Sequence, residues 1–130
     1  MNNEEKRQLV IYRLDKAKDT LNEVEFQINN QKLNTAVNRL YYACYYAVIA
    51  LLLNYDINAK SHAGVRQMLG LHFIKTGLID EQSGDFYTDI FEMRHTGDYD
   101  DFIVFEQDKV LELLAPAQQL ISQIELLVKQ

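Results

Sequence analysis

Hydrophobic positions recur along this chain every three or four residues, the period of an α-helix, and no stretch reads as strand. In a first segment, roughly residues 4–29, Val10, Leu14, Ala17, Leu21, Val24 and Ile28 form a continuous seam. Arg13, Lys16, Asp19 and Glu23 are left for water. A last segment, about residues 106–129, repeats the pattern with Val110, Leu113, Ala117, Leu120, Ile124 and Leu127, and Leu114, Ile121 and Val128 widen its buried face. Pro116 removes a backbone donor toward Glu112, so one bent helix is expected there rather than two.

Between these segments, residues 32–54 predict a helix that is apolar on every side from Leu40 to Leu53. That run is shorter than the roughly twenty residues that cross a bilayer, so it predicts a central helix enclosed by neighbours or by a second subunit, with no membrane partner. Ala36, Ala43, Ala47 and Ala50 would let another helix approach closely. The tyrosines of the run, from Tyr41 to Tyr46, carry hydroxyls that need partners, as at subunit interfaces. Two shorter helices are expected, one from Ser61, a natural N-cap, to Lys75 and one from Asp80 to Thr96, with Gly77 marking the break between them. The predicted fold is all-α, a five-helix up-and-down bundle with two long outer helices, a buried central helix and two shorter ones. Residues 1–130 read as a single domain.

Composition agrees with this outline: 48% of the 130 residues are hydrophobic, enough for one workable core. Met1 to Arg7 are polar and charged with no apolar stretch behind a basic head, so no secretory leader is expected and a cytoplasmic location follows. Cys44, the single cysteine, lies inside the apolar run and reads as a buried, inert thiol. Charge is informative by region. The net formal charge of -6 divides into -1 over residues 1–30, +4 over 31–79 and -9 over 80–130. A protein this acidic repels polyphosphate on average, which excludes a generic nucleic-acid binder held by counterion release. Any nucleotide or RNA must meet a local site, and the basic middle segment with Arg39, Lys60, Arg66 and Lys75 is the place to look.

The candidate chemistry concentrates from Met93 to Phe102, where the fourth helix is expected to stop at Gly97 and leave Arg94, His95, Asp98 and Tyr99 together. An ordinary helix end with a local Arg94–Asp98 ion pair would use the same residues. Tyr87, Phe91 and Arg94 share one side of that helix, so Arg94 extends an aromatic strip that could stack a base or simply pack. Lys60-Ser61-His62 could hold an anion at the start of the third helix, where free amides favour one, or serve only as a cap. His62, His72 and His95 do not pair at metal-ligand spacing, so no metal is expected. No phosphate loop, nucleophile elbow or catalytic carboxylate pair stands out, and no cofactor is expected.

The order of four segments resembles the HEPN domain family of small helical bundles. They are Asn38-Arg39-Leu40-Tyr41-Tyr42-Ala43, Lys60-Ser61-His62-Ala63-Gly64-Val65, His72-Phe73-Ile74-Lys75-Thr76-Gly77, and Arg94 followed by Gly97-Asp98-Tyr99. The match runs from about residue 30 to 127 and is most similar to the stand-alone members encoded beside a minimal nucleotidyltransferase. The resemblance implies a homodimer with the polar motifs lining a cleft near the twofold axis.

Many members are metal-independent ribonucleases that use an arginine and a histidine a helical turn or more apart. Here His95 directly follows Arg94, and neighbours on a helix diverge by about 100°, so the two do not present one face to a phosphodiester. The resemblance thus implies a noncatalytic or weakly catalytic module that binds a nucleotide or RNA and acts with a nucleotidyltransferase in a toxin–antitoxin-like or stress or defence pair. Arg94 and Arg39 would hold phosphate, Lys60 and His62 would add to the anion site, Asp98 would orient Arg94, and Tyr99 would stack, donate a hydrogen bond or accept adenylate from the partner. The alternatives are a ribonuclease toxin, with His62 or His95 moving the proton, and a dimeric interaction module in which these residues only stabilise the fold.

Overall fold

The computed structural model describes residues 1–99 and 104–129, apart from the side chains of 98 and 99. Among the described residues there is helix and no strand. α1 (Asn3–Asn29) and α2 (Leu33–Asn54) form an antiparallel hairpin. The turn between them places Gln31 in the left-handed region at φ 60°, and the Lys32 amide reaches back to the Gln27 carbonyl at 2.9 Å, which closes the end of α1. Then come α3 (His62–Leu69), α4 (Glu81–Tyr99), α5 (Gln107–Leu111) and α6 (Leu114–Val128).

The expected seam of α1 is buried at Val10, Leu14, Ala17, Val24 and Ile28, and α6 buries Ala117, Leu120, Ile121, Ile124 and Leu127. α2 packs against both of these helices and against α3, α4 and α5. Ala36, Ala43, Ala47 and Ala50 are all fully buried, because a methyl is the largest group that lets neighbouring backbones come this close. Cys44 is buried beside them, and burial pushes its thiol well above the ordinary cysteine value. By length and composition α2 could cross a membrane, but 61% of its most apolar window is buried within this chain, as in the core helix of a bundle.

Enclosure is incomplete on one side. Tyr42, Tyr45, Tyr46, Ile49 and Leu53 are only partly buried, so α2 shows an aromatic and aliphatic strip at the surface. Lys16 of α1 lies over the Tyr46 ring at 4.8 Å, and Arg13 donates to the Ile49 carbonyl at 3.4 Å.

Three helix boundaries differ from the sequence reading. The third helix is α-helical only to Leu69 and continues through a wider π turn over Gly70–Ile74, with the Lys75 amide bonded to the Gly70 carbonyl at 2.9 Å. Gly77 follows at φ +81° and makes the break. The last segment is two helices, not one bent one: with no Pro116 amide to reach the Glu112 carbonyl, the chain turns at Glu112 and Leu113. Pro116 sits in the first turn of α6, where a missing donor costs nothing. Third, Gly97 does not stop α4, which runs on to Tyr99. The glycine serves packing, since a Cβ there would stand 2.8 Å from the Phe105 ring.

Candidate functional site

Arg94, His62 and Arg39 come from α4, α3 and α2 and converge on two neighbouring rings: Arg94 and His62 meet both Tyr41 and Tyr42, and Arg39 meets Tyr42. The Arg94 guanidinium lies 5.2 Å from the Tyr41 ring centre and 5.6 Å from that of Tyr42, and it donates to the Tyr42 hydroxyl at 3.3 Å. Arg39 covers Tyr42 at 5.1 Å while donating to the Asn38 side-chain oxygen at 3.1 and 3.3 Å. Tyr42 thus has two guanidinium groups against its ring. Such contacts contribute about 0.5–1 kcal/mol each when exposed and more when dry. Tyr87 and Phe91 approach Tyr41 with ring centres 6.0 Å away, and Arg66 of α3 lies over Phe91 at 4.6 Å. Three arginines therefore surround one aromatic cluster in a protein of net negative charge.

His62 occupies the first position of α3, where Ser61 caps the helix by accepting from the Gly64 amide at 2.9 Å. Its ring stacks on Tyr45 at 4.4 Å with 13° between planes and stands edge-on to Tyr42 at 5.9 Å. Its Nδ1 is 2.7 Å from the Tyr41 hydroxyl. Desolvation first, and then the nearby Arg94 charge, hold the imidazole below its ordinary value of 6.5, so it is neutral at pH 7. The Tyr41 phenol moves the other way. Burial lifts it to about 12, against smaller lowering by a Tyr87 hydrogen bond and by Arg94, so it keeps its proton throughout the physiological range.

The structure brings together Arg94, Arg39 and His62 among the expected site residues. Lys60 is exposed two residues before His62. His95 is exposed on another side of α4 from Arg94, as neighbouring helical positions must be. The side chains of Asp98 and Tyr99 lie outside the described residues, and with them the expected Arg94–Asp98 ion pair. No group of three or more histidine, cysteine, aspartate or glutamate side chains gathers at metal-binding distance among the described residues.

Sequence reasoning treated the tyrosines as interface material and did not see that Tyr41 and Tyr42 form the platform on which the other groups converge. The usable signal was the expected strip of Tyr87, Phe91 and Arg94, all of which turn out to meet Tyr41.

Residues 10–127 match the model of the HEPN domain. The chain belongs to the HEPN domain family. A relative from Thermotoga maritima, named "UPF0332 protein", is 35% identical over 96% of this chain and 95% of its own length. Two proteins of Methanocaldococcus jannaschii, each carrying the name "Putative toxin", are 36% and 37% identical; they cover 78% and 64% of this chain and 69% and 62% of their own lengths. Of the segments that carried the HEPN resemblance, the ones around Arg39, His62 and Arg94 supply the cluster. The segment around His72 does not: His72 is exposed on the π turn.

Proposed function

We propose that this protein is a toxin-like HEPN module that binds a nucleotide or RNA through its phosphate and works with a minimal nucleotidyltransferase in a paired system. The observation that carries the reading is the convergence of Arg94, Arg39 and His62 on the Tyr41–Tyr42 platform. Two guanidinium groups held against one ring repel each other and gain from an anion placed beside them, and a neutral imidazole adds a hydrogen bond to phosphate oxygen. Tyr42 and Tyr45 are only partly buried, so aromatic surface is left at the site for a base to contact. Toxin-named relatives support the paired system.

The partner, the homodimer with α2's partly exposed strip at its interface, and a role for Asp98 and Tyr99 in orienting Arg94 and in partner modification belong to the same proposal.

Titration calorimetry with AMP and with a short single-stranded RNA tests it. Wild-type protein should bind at least one of them, and Arg94→Ala should abolish the binding while lowering stability by no more than about 2 kcal/mol, the size of the two ring contacts it gives up. Loss of stability with no ligand bound by the wild type would leave Arg94 a packing residue and the protein an interaction module.

One observation favours a ribonuclease as the second reading: His62 flanks the same two rings as Arg94, so an imidazole is present although its place in the sequence is unusual for the family. RNA cleavage in the presence of a chelator, lost in His62→Ala, would establish it. Intact RNA at high protein concentration would dismiss it.

A further inference from the structure

We propose that Tyr41 is a positioning residue for this site: its hydroxyl donates to Nδ1 of His62 and so fixes the imidazole proton on Nε2, the nitrogen left to meet a phosphate. The inference rests on the binding site proposed above and specifies how one of its groups is prepared.

The 2.7 Å contact between Tyr41 and His62 admits two polarities, because a hydroxyl can donate or accept and a neutral imidazole has one nitrogen of each kind. Tyr87 decides between them. It is fully buried, and no group among the described residues meets full hydrogen-bond geometry with its hydroxyl. The Tyr41 ring lies 6.0 Å away centre to centre, and its hydroxyl is the group placed to take the Tyr87 proton at longer range. If His62 donated from Nδ1, the Tyr41 and Tyr87 hydroxyls would have only each other's oxygens to donate to, and one of the two buried protons would be left without an acceptor. If Tyr87 instead leans its proton on the Tyr41 oxygen, Tyr41 is free to donate to Nδ1, and every proton in the chain has a destination. A buried donor left unmatched carries its full desolvation cost, so the second arrangement prevails.

The surroundings enforce it. Tyr41 is fully buried on α2, held between Tyr87 and Phe91 of α4 and the Arg94 guanidinium, so its hydroxyl cannot swing away to water. The His62 ring is fixed in turn by stacking on Tyr45. Among the described residues, the charged and titratable groups facing His62 are Tyr41, Tyr42 and Tyr45 from α2 and Arg94 from α4. Desolvation first, and the Arg94 charge after it, disfavour a second proton on the ring, which keeps Nδ1 an acceptor near neutral pH. His62 is only partly buried, and Nε2 lies across the ring from the Tyr41 contact. The consequence for function is a donor, not a base. With its proton on Nε2, His62 can give one hydrogen bond to a phosphate oxygen beside the arginines, and it has no lone pair there to remove a proton from a ribose hydroxyl.

The test is the tautomer of His62 in the ligand-free full chain, read by long-range proton–nitrogen NMR on histidine-labelled protein at neutral pH. Wild type should show the Nε2–H form alone, and Tyr41→Phe should show both tautomers and bind AMP or the short RNA roughly tenfold more weakly. An Nδ1–H form in the wild type, or an unchanged tautomer in Tyr41→Phe, would overturn the inference. Should Tyr41→Phe not fold, Tyr87→Phe removes the donor behind Tyr41 and should admit the Nδ1–H form in part; an unchanged tautomer there is equally contrary. Because the tautomer is read without ligand, failure of wild-type protein to bind either probe counts against the binding site itself and is distinguishable from failure of Tyr41 to position the ring.

Discussion

Gly97 and His62 each do something that their immediate sequence did not disclose. A glycine after an amphipathic stretch is usually where a helix stops, and only the fold reveals that Phe105, eight residues later, fills the space a side chain would need. Gly97→Ala is therefore expected to lower the melting temperature, although alanine is the better helix former by about 1 kcal/mol. A rise would mean that Phe105 yields freely. His62 was legible as a polar residue at a helix start, but its pairing with Tyr41 spans 21 residues and needed the packing of α3 against α2. Since the folded protein holds its pKa below 6.5, the unfolded chain takes up the proton first as pH falls. The group thus costs stability below about pH 6.5 and has no such effect above it. Denaturant unfolding from neutral to mildly acid pH should show a shallower loss of stability in His62→Gln than in wild type; parallel curves would mean that the ring titrates freely.

At the scale of elements, the centres of the helices were readable and their ends were not. The seam of α1 and the apolar run of α2 are periodic over many residues, so errors at single positions average out. Ends depend on one or two local bonds. Ser61 was recognised because its side chain and the amide it caps are three residues apart, and Gly77 because its backbone enters the left-handed region. Pro116 was recognised as an interruption, but whether a helix bends or divides is settled by the turn before the proline, here Glu112 and Leu113. Asp80, expected only as the start of α4, turns out to join two helices. It accepts from the Ser83 amide at 2.7 Å, its backbone amide donates to Gln123 of α6 at 3.1 Å, and Gln119 of α6 donates to its carboxylate at 3.2 Å. Bonds to Ser83 above all hold its carboxyl below the usual range. Asp80→Ala should cost about 1 kcal/mol, as loss of a cap does, measured by thermal unfolding at neutral pH. No change in melting temperature would show that the α4 start is held by α6 alone.

For the whole molecule, the division of charge along the chain and the arrangement of the helices act together. The basic middle segment contributes Arg39 and Arg66 to the aromatic cluster, the acidic last third contributes Arg94, and α2, which carries Arg39 and the tyrosines, is the scaffold that brings them together. Sequence alone suggested both the HEPN fold and the arginines. It could not show that His62, on a different helix, shares their platform, because helix-to-helix packing and not spacing determines that. The most direct test of the phosphate site is an NMR titration of isotope-labelled protein with AMP and, separately, with the short RNA, following the side chains of Arg94, Arg39 and His62 and the Tyr41 and Tyr42 rings. Saturable shifts concentrated on those five residues are expected with at least one of the two ligands. Shifts confined to other surfaces, or none with either ligand, would contradict the phosphate site.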